Sequence, residues 1–490
     1  MKSKYLPFLV IVILAFLPCA VRAQSQIQIA STPTGVVWQG WGCSICWWGK
    51  AWGNTSSASK MTRIVFSMNK TRWNNTELPG LGFTVARYNV GGSGGGAVYG
   101  ALKENISPNM IPATTIHTYW LHPGSTNPSS KDWNWEADSA QRHVMKLAQQ
   151  DGVKYFEFFS NSPPWWMCNN LSTAGGDNHS PNLNPKYYKD FALYMSAVVS
   201  HAMKYWHVPV YSVEPFNEPR GSWWTFPSGQ EGCIFNVADQ VKLIPLLHAA
   251  MAKDNLTGKV ILTASDENST PVALNSWQRY PEDVKSMVGK VNTHTYDYSL
   301  NNRANLHAAV GTTSLWVSEH GDGDPSGLTL AQTLVRDLNQ LKPSAWCYWQ
   351  QYDSGGWGMI NADRKTGELG NTSQKYYVMA QFSRYIRPGS ELLNSNNLDT
   401  VDAYNATSHT LTLVHLTGAK HSGDLTINLS AFKVSGTSAT VVCTTCKPTD
   451  EIPNLRLKSV SGVSIGNSIL TIPNAYPNAI YTIVVKGVTM

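Results

Sequence analysis

The sequence predicts an α/β protein: a (β/α)8 TIM barrel over residues 36–385 with an appended C-terminal β-sandwich over residues 386–490. Two observations carry this prediction. Eight extended apolar segments recur between Val36 and Trp349, with helix-like stretches between several of them. Strands that alternate with helices in this way pair in parallel and close on themselves. After Ile386-Arg387-Pro388-Gly389 the helical signal stops, and short apolar runs punctuated by Gly, Ser, Asn and Pro continue to Met490. That punctuation over about 100 residues is what a sandwich requires.

The first residues read as a cleavable secretory leader, residues 1–23. Lys2 and Lys4 precede an apolar run from Tyr5 to Ala20, and Val21-Arg22-Ala23 stands before Gln24. Residues 24–35 contain the alternation Gln26-Ile27-Gln28-Ile29-Ala30, a short strand expected to join the sandwich. The first barrel strand begins in Val36–Gly42. The others are predicted at Phe83–Val90, Tyr155–Ser160, Val210–Val213, Val260–Ala264, Val288–His294, Leu315–Ser318 and Ala345–Trp349. The clearest helices are expected at Ala140–Gln150, Tyr187–Lys204, Ala238–Lys253 and Leu328–Leu341. Sandwich strands are expected at Leu411–Leu416, Asp424–Leu429, Thr440–Cys443, Ile469–Ile472 and Ile480–Val485.

The chain carries 38 Lys+Arg against 32 Asp+Glu, a net +6 that falls to +3 once Lys2, Lys4 and Arg22 leave with the leader. A charge so small and dispersed argues against a nucleic-acid partner. No later stretch reaches the roughly 18 apolar residues of a membrane span, so no membrane association is expected. Charged residues make up only 14% of the chain, beside 19 Trp and 21 Tyr. Most of these rings belong in the core, but the balance suits a neutral, polar, flat-faced ligand such as a sugar. Eleven Asn-x-Ser/Thr sequons, from Asn54 to Asn428, fit a glycosylated secreted protein. Seven cysteines remain beyond the leader. Cys443/Cys446 could close a small loop disulfide, and Cys168 with Cys233 forms a second candidate pair. Two C-x-x-C motifs, Cys43/Cys46 and Cys443/Cys446, also admit a zinc site, but the oxidising compartment and their distance along the chain favour disulfides.

The candidate chemistry lies in two glutamates. Glu218 stands in Val213-Glu214-Pro215-Phe216-Asn217-Glu218-Pro219-Arg220 after the fourth strand. Pro219 biases it toward an extended conformation. Glu319 ends the seventh strand, ahead of His320-Gly321-Asp322-Gly323-Asp324. Barrel active sites lie at the C-terminal ends of the strands, and two carboxyls there are the equipment of glycosidic hydrolysis. Glu214 lies four residues further back with no partner role, and Glu231 is expected to be structural.

The surrounding motifs make the resemblance specific. Gly40-Trp41-Gly42, Ala86-Arg87-Tyr88-Asn89, Ser160-Asn161-Ser162-Pro163-Pro164-Trp165-Trp166-Met167 and Asn217-Glu218-Pro219 with Ser318-Glu319 are similar to glycoside hydrolase family 30. Trp223-Trp224, Gln230-Glu231-Gly232-Cys233 and Glu319–Asp324 look most like its fifth subfamily, which contains fungal endo-β-1,6-galactanases. The resemblance implies a retaining mechanism with Glu218 as acid/base and Glu319 as nucleophile. It implies that Arg87 holds Glu319 ionised, that Asn217 contacts the sugar 2-hydroxyl, and that His294 and Tyr296 flank the nucleophile. Trp165, Trp166 and Trp349 become candidate sugar platforms, and Trp223 and Trp224 candidate subsite aromatics. The expected partner is a polysaccharide or oligosaccharide substrate, bound by a monomer. No cofactor or metal is implied, since paired carboxylates need only water. Galactan side chains of arabinogalactan are the first expectation. β-1,6-Glucan, xylan and glucosylceramide are rival substrates, and a non-catalytic carbohydrate-binding protein is the rival from another class.

Overall fold

The computed structural model describes residues 26–297 and 301–490. The predicted leader, residues 1–23, lies outside them. Eight strands form a closed barrel in which every neighbour is parallel: β1 Gly40–Ser44, β2 Val85–Asn89, β3 Tyr155–Phe159, β4 Val210–Glu214, β5 Ile261–Glu267, β6 Lys290–His294, β7 Ser314–Glu319 and β8 Ala345–Tyr348. Closure is set by β8 against β1, with Ala345 opposite Gly40 and Tyr348 opposite Cys43. These strands are buried on both faces, which explains why they read as apolar runs rather than alternating ones.

The barrel interior changes character along its axis. At the N-terminal end Val85, Trp316, Ala345 and Cys347 close it with apolar side chains. Above them the inward positions are ionic, where branched aliphatic layers are the usual filling. Glu157 on β3 accepts from Arg87 Nε at 3.0 Å, from Ser212 Oγ at 2.8 Å and from Asn292 Nδ2 at 2.9 Å. Its second cation is Lys290 on β6, whose ammonium also lies 3.6 Å from the centre of the Trp316 ring. Lys290 and Arg87 hold the Glu157 carboxyl below its ordinary range although burial opposes them.

Helices Ser139–Asp151, Tyr188–Tyr205, Val237–Lys253 and Leu328–Arg336 lie between strands. The third starts at Asn236, whose backbone N–H is accepted by Asp239 in a reciprocal cap. The fourth gives way to wider turns over Asp337–Leu341 instead of continuing as a regular helix. Helix Asn301–Val310 was hidden in the sequence because N-N-R-A-N-L-H-A-A-V has no apolar stripe. No helix among the described residues is long and apolar enough to cross a membrane.

Beyond the barrel a seven-stranded and a four-stranded sheet enclose a second core, built on residues such as Leu411, Ile427, Leu470 and Ile483. The N-terminal segment contributes to both sheets. Ile27–Gln28 pairs in parallel with Leu425–Asn428, and Pro33–Val37 pairs antiparallel with Glu391–Leu393. The other face of the large sheet joins the barrel core through Val401, Ala403, Val414 and Ile480. Helix Gln374–Ser383 bridges the two, with Gln374 donating to the Thr445 carbonyl at 2.7 Å and Gln381 to Thr444 Oγ1 at 2.7 Å.

The expected disulfides are absent here, because all seven described cysteines are buried thiols. Cys443 faces the sandwich core and Cys446 the barrel core, as an odd separation along extended chain dictates. Cys43, on β1, and Cys46, in the turn after it, fall in different apolar clusters. Cys168 and Cys233 turn their thiols to local acceptors, the carbonyls of Pro163 at 3.7 Å and Ile234 at 3.6 Å.

Trp41 on β1 ties the barrel to the junction that follows it. Its indole donates to the Ile386 carbonyl at 2.8 Å and its ring packs against Trp38, Trp346 and Phe382. Trp41→Ala is therefore expected to cost about 3–5 kcal/mol in denaturant unfolding, from the cavity and the orphaned carbonyl. A loss under about 1 kcal/mol would mean that the junction is held elsewhere.

Candidate active site

At the C-terminal mouth of the barrel, Glu319 is the last residue of β7, while Glu218 lies four residues past the end of β4. Glu218 is not extended, as Pro219 had suggested; its φ is 46°, in the left-handed region. A non-glycine residue there is strained by about 1–3 kcal/mol and needs support from its surroundings. That support includes its backbone N–H, which donates at 2.8 Å to the carbonyl of Asp266, itself left-handed at φ 57°. The turn points the Glu218 side chain back over the strand ends.

Arg87, fully buried on β2, reaches three carboxylates. Nε meets Glu157, Nη1 meets Glu319 Oε2 at 3.0 Å, and Nη2 meets Asp266 Oδ2 at 2.5 Å. Glu319 Oε1 accepts the Tyr296 hydroxyl at 3.0 Å. His294, at the end of β6, stands between the two glutamates, with Nδ1 3.1 Å from Glu218 Oε1 and 3.5 Å from Glu319 Oε1. Its Nε2 lies 3.3 Å from Asp266 Oδ1. Burial pulls the imidazole down, but Glu319 and Asp266 raise it to about 10, so it is a cation with two donors. Asp266 is held well below the usual carboxylate range, because Arg87 and His294 outweigh its burial. Burial lifts the Glu319 carboxyl to about 7, with His294 and Arg87 opposing and Glu218 adding to the rise.

The cleft above this pair has a volume of about 290 Å3. Its polar lining includes Glu218, Glu319, Asn217, Tyr296, Gln230 and Asn268, and its aromatic walls are Trp223, Trp349 and Trp357. Asn217 Oδ1 is buried without a protein partner, an acceptor that a ligand hydroxyl can satisfy. Trp223 donates its indole N–H to Glu218 Oε2 at 3.0 Å. The other predicted rings lie elsewhere. Trp165 and Trp166 are buried in the core, donating to the carbonyls of Leu121 and Trp120, and do not line the cleft. Trp224 is buried as well, its indole bonded to the Glu218 carbonyl at 3.0 Å. The mistake has a physical cause, since adjacent aromatics in a loop rarely face the same way and sequence does not say which one turns outward.

Sequence reasoning missed Trp357, Gln230 and Asn268 from the cleft, and Asp266, Glu157 and Lys290 beneath it. The last two carried a signal: an ionisable residue inside Y-F-E-F-F and a lysine opening K-V-N-T-H both sit in buried strands, where charges must be paired. Glu231 anchors the loop that carries Trp223. Its buried carboxyl, raised to about 8 by desolvation, accepts Asn89 Nδ2 at 2.9 Å. Glu218, His294 and Glu319 offer ligand atoms within 4.8 Å of one another. Those atoms already serve the hydrogen bonds just described.

Comparison with known proteins agrees with this geometry. The model of O-Glycosyl hydrolase family 30 matches residues 24–319. The chain belongs to glycoside hydrolase family 30. A relative, an endo-beta-1,6-galactanase of Hypocrea rufa, is 36% identical over 444 residues, 90% of each chain. An exo-beta-1,6-galactobiohydrolase of Bifidobacterium longum subsp. longum is 23% identical, over 80% of this chain and 34% of that protein. The fold is shared with the catalytic domain of a family 30 xylanase C from Talaromyces cellulolyticus, at a TM-score of 0.69 and 16% identity, covering 94% of this chain and all of that one. As a family 30 member, this chain is a glycoside hydrolase.

Asp266→Asn tests the electrostatic frame. Without the anion, the imidazolium of His294 loses one of its two main supports, so its titration should move down from about 10 toward the ordinary histidine value. Histidine-selective NMR titration measures this, and an unmoved His294 resonance would break the proposed coupling.

Proposed function

We propose that this chain is a secreted, retaining endo-β-1,6-galactanase that cleaves β-1,6-galactan side chains of arabinogalactan by double displacement. One observation carries the mechanism: Glu218 and Glu319 bring carboxylate oxygens within 4.8 Å of one another. That approach is compatible with the roughly 5–5.5 Å carboxyl spacing of retaining enzymes, which is shorter than the roughly 6.5–9.5 Å of inverting ones. The galactan assignment rests on likeness to the Hypocrea rufa enzyme, and secretion rests on the leader.

The donors assign the roles. Glu319 faces Arg87, Tyr296 and His294, three groups that favour a carboxylate, and acts as nucleophile. Glu218 is the acid/base. In the first step its proton passes to the glycosidic oxygen, the bond from that oxygen to the anomeric carbon breaks, and Glu319 bonds to the carbon. In the second step water attacks that carbon, its proton returns to Glu218, and the bond to Glu319 breaks. Asn217 accepts a sugar hydroxyl, and Trp223, Trp349 and Trp357 form the walls along which sugar faces pack.

Glu319→Ala should abolish hydrolysis, with azide restoring turnover and yielding a glycosyl azide of inverted anomeric configuration. Rescue at a different acid would reject Glu319 as nucleophile. Glu218→Gln should keep far more activity on aryl glycosides with good leaving groups than on galactan; equal loss on both would remove it as the acid. The pair must hold one proton to act. Glu319 must be the ionised member: with its carboxyl raised to about 7, it gains a proton as pH falls through this value. An acid limb of kcat/KM is thus expected near pH 7, and an acid limb below about 5 would contradict the electrostatic account. Product analysis on de-arabinosylated arabinogalactan, β-1,6-glucan and xylan tests the sugar, and product length separates endo from exo cleavage.

A further inference from the structure

Both oxygens of Glu218 are occupied by N–H donors. Oε1 meets His294 Nδ1 at 3.1 Å on the barrel side, and Oε2 accepts the Trp223 indole at 3.0 Å on the cleft side. A carboxyl that accepts on both oxygens is arranged as a base. To act as an acid it must carry a hydrogen on the oxygen that faces the substrate, and the indole sits on that oxygen.

The indole is placed there by a specific accommodation. Trp223 is 45% exposed, and its nearest aromatic ring is Trp224 at 6.1 Å. It folds back over Gly221, where a Cβ would come within 2.5 Å of indole Cε2, 2.6 Å of Cζ2 and 2.9 Å of Nε1. Gly221 is not among the residues with positive φ, so its backbone would accept alanine. What the position lacks is space, and the missing space is the one the indole occupies.

We infer that Trp223 is a positioning residue that alternates with the leaving sugar at Glu218 Oε2. Its N–H yields Oε2 when the glycosidic oxygen arrives, leaving that oxygen free to carry and deliver the proton. After the leaving sugar departs, the indole returns and stabilises Glu218 as the carboxylate. The second lone pair of Oε2 then takes the proton from the attacking water, whose oxygen bonds to the anomeric carbon as the bond to Glu319 breaks. This rests on the reading of Glu218 as acid/base.

Two variants remove the contact in opposite ways. Trp223→Phe keeps an aromatic wall and deletes the donor. Gly221→Ala keeps the indole and displaces it from Oε2. The measurements are pH profiles of kcat/KM on a β-1,6-galactooligosaccharide and of kcat on an aryl β-1,6-galactobioside whose leaving group needs no acid. Losing the donor disfavours the ionised carboxylate. Both variants should move the basic limb of kcat/KM up by about 1 pH unit and lower kcat on the aryl substrate about tenfold near the acid limb. Profiles that keep their limbs while only KM rises would make Trp223 a plain sugar wall and overturn the inference. If Trp223→Phe fails to fold, Gly221→Ala decides alone, because its indole and core are intact. Failure of the Glu218 assignment itself would appear separately, in the leaving-group dependence of Glu218→Gln.

Discussion

The guanidinium of Arg87 is the interaction on which the mouth of the barrel depends. It is fully buried, lies 4.1 Å from the centre of the Phe159 ring and touches Glu157, Asp266 and Glu319. A charge in that position is tolerable only with close counter-charges, and removing one partner of a buried pair typically costs about 3–5 kcal/mol. Its three partners come from β3, β5 and β7, so one side chain fixes the relative height of four strands. Lys290 neutralises the far side of Glu157, and His294 shares Asp266 with Arg87. Three cations and three carboxylates thus interlock along the axis. Through Arg87 this interlocked group reaches Glu319 at the strand end and fixes its height.

Asp266 links the two halves of the site. Its side chain meets Arg87, which holds Glu319, and His294, which touches both glutamates. Its carbonyl takes the backbone N–H of Glu218. Ser318, the residue before Glu319, donates its hydroxyl to Asp266 Oδ1 at 2.5 Å. A single residue on β5 therefore touches the supports of both acids, one through side chains and the other through backbone. The left-handed turn at Glu218 becomes intelligible in this light. An extended residue before Pro219 would carry the carboxyl along the strand direction, whereas the turn brings it back within reach of His294.

Much of the fold was legible because its cause is local. Strands buried on both faces leave continuous apolar runs, and Glu319 could be placed because it directly ends such a run. Glu218 was found by its neighbours Asn217 and Pro219, but its backbone was misjudged, since the bond that supports it comes from Asp266, 48 residues further along the chain. Asp266 itself stood out in no window: I-L-T-A-S-D-E looks like a strand running into a polar loop. The choice among tryptophans failed for a related reason. Trp165 and Trp166 had the more suggestive motif, yet their indoles satisfy carbonyls in the core, while Trp357 sits in a glycine-rich loop with no motif around it. Which ring reaches the cleft is decided by loop geometry, and loop geometry is decided by distant partners.

The size of a cavity does not locate the chemistry in this molecule. A groove of about 700 Å3 runs outside the barrel beside helix Ser139–Asp151, lined by Arg142, Lys146, Tyr205 and Trp206. The cleft lined by Glu218 and Glu319, at about 290 Å3, is less than half as large. The outer groove has basic and aromatic groups but no acid pair, and Arg142 already covers the Trp206 ring at 5.3 Å. In the cleft, by contrast, Glu218 and Glu319 stand among amides, a phenol and indole faces, with Arg87 and His294 beneath them. Such a lining recognises hydroxyls and C–H faces. In a chain with only 14% charged residues and 19 tryptophans, Arg87, Glu157, Asp266, Lys290 and His294 are all fully buried under the two glutamates. The same charges that fix the barrel thereby leave the cleft itself suited to an uncharged sugar.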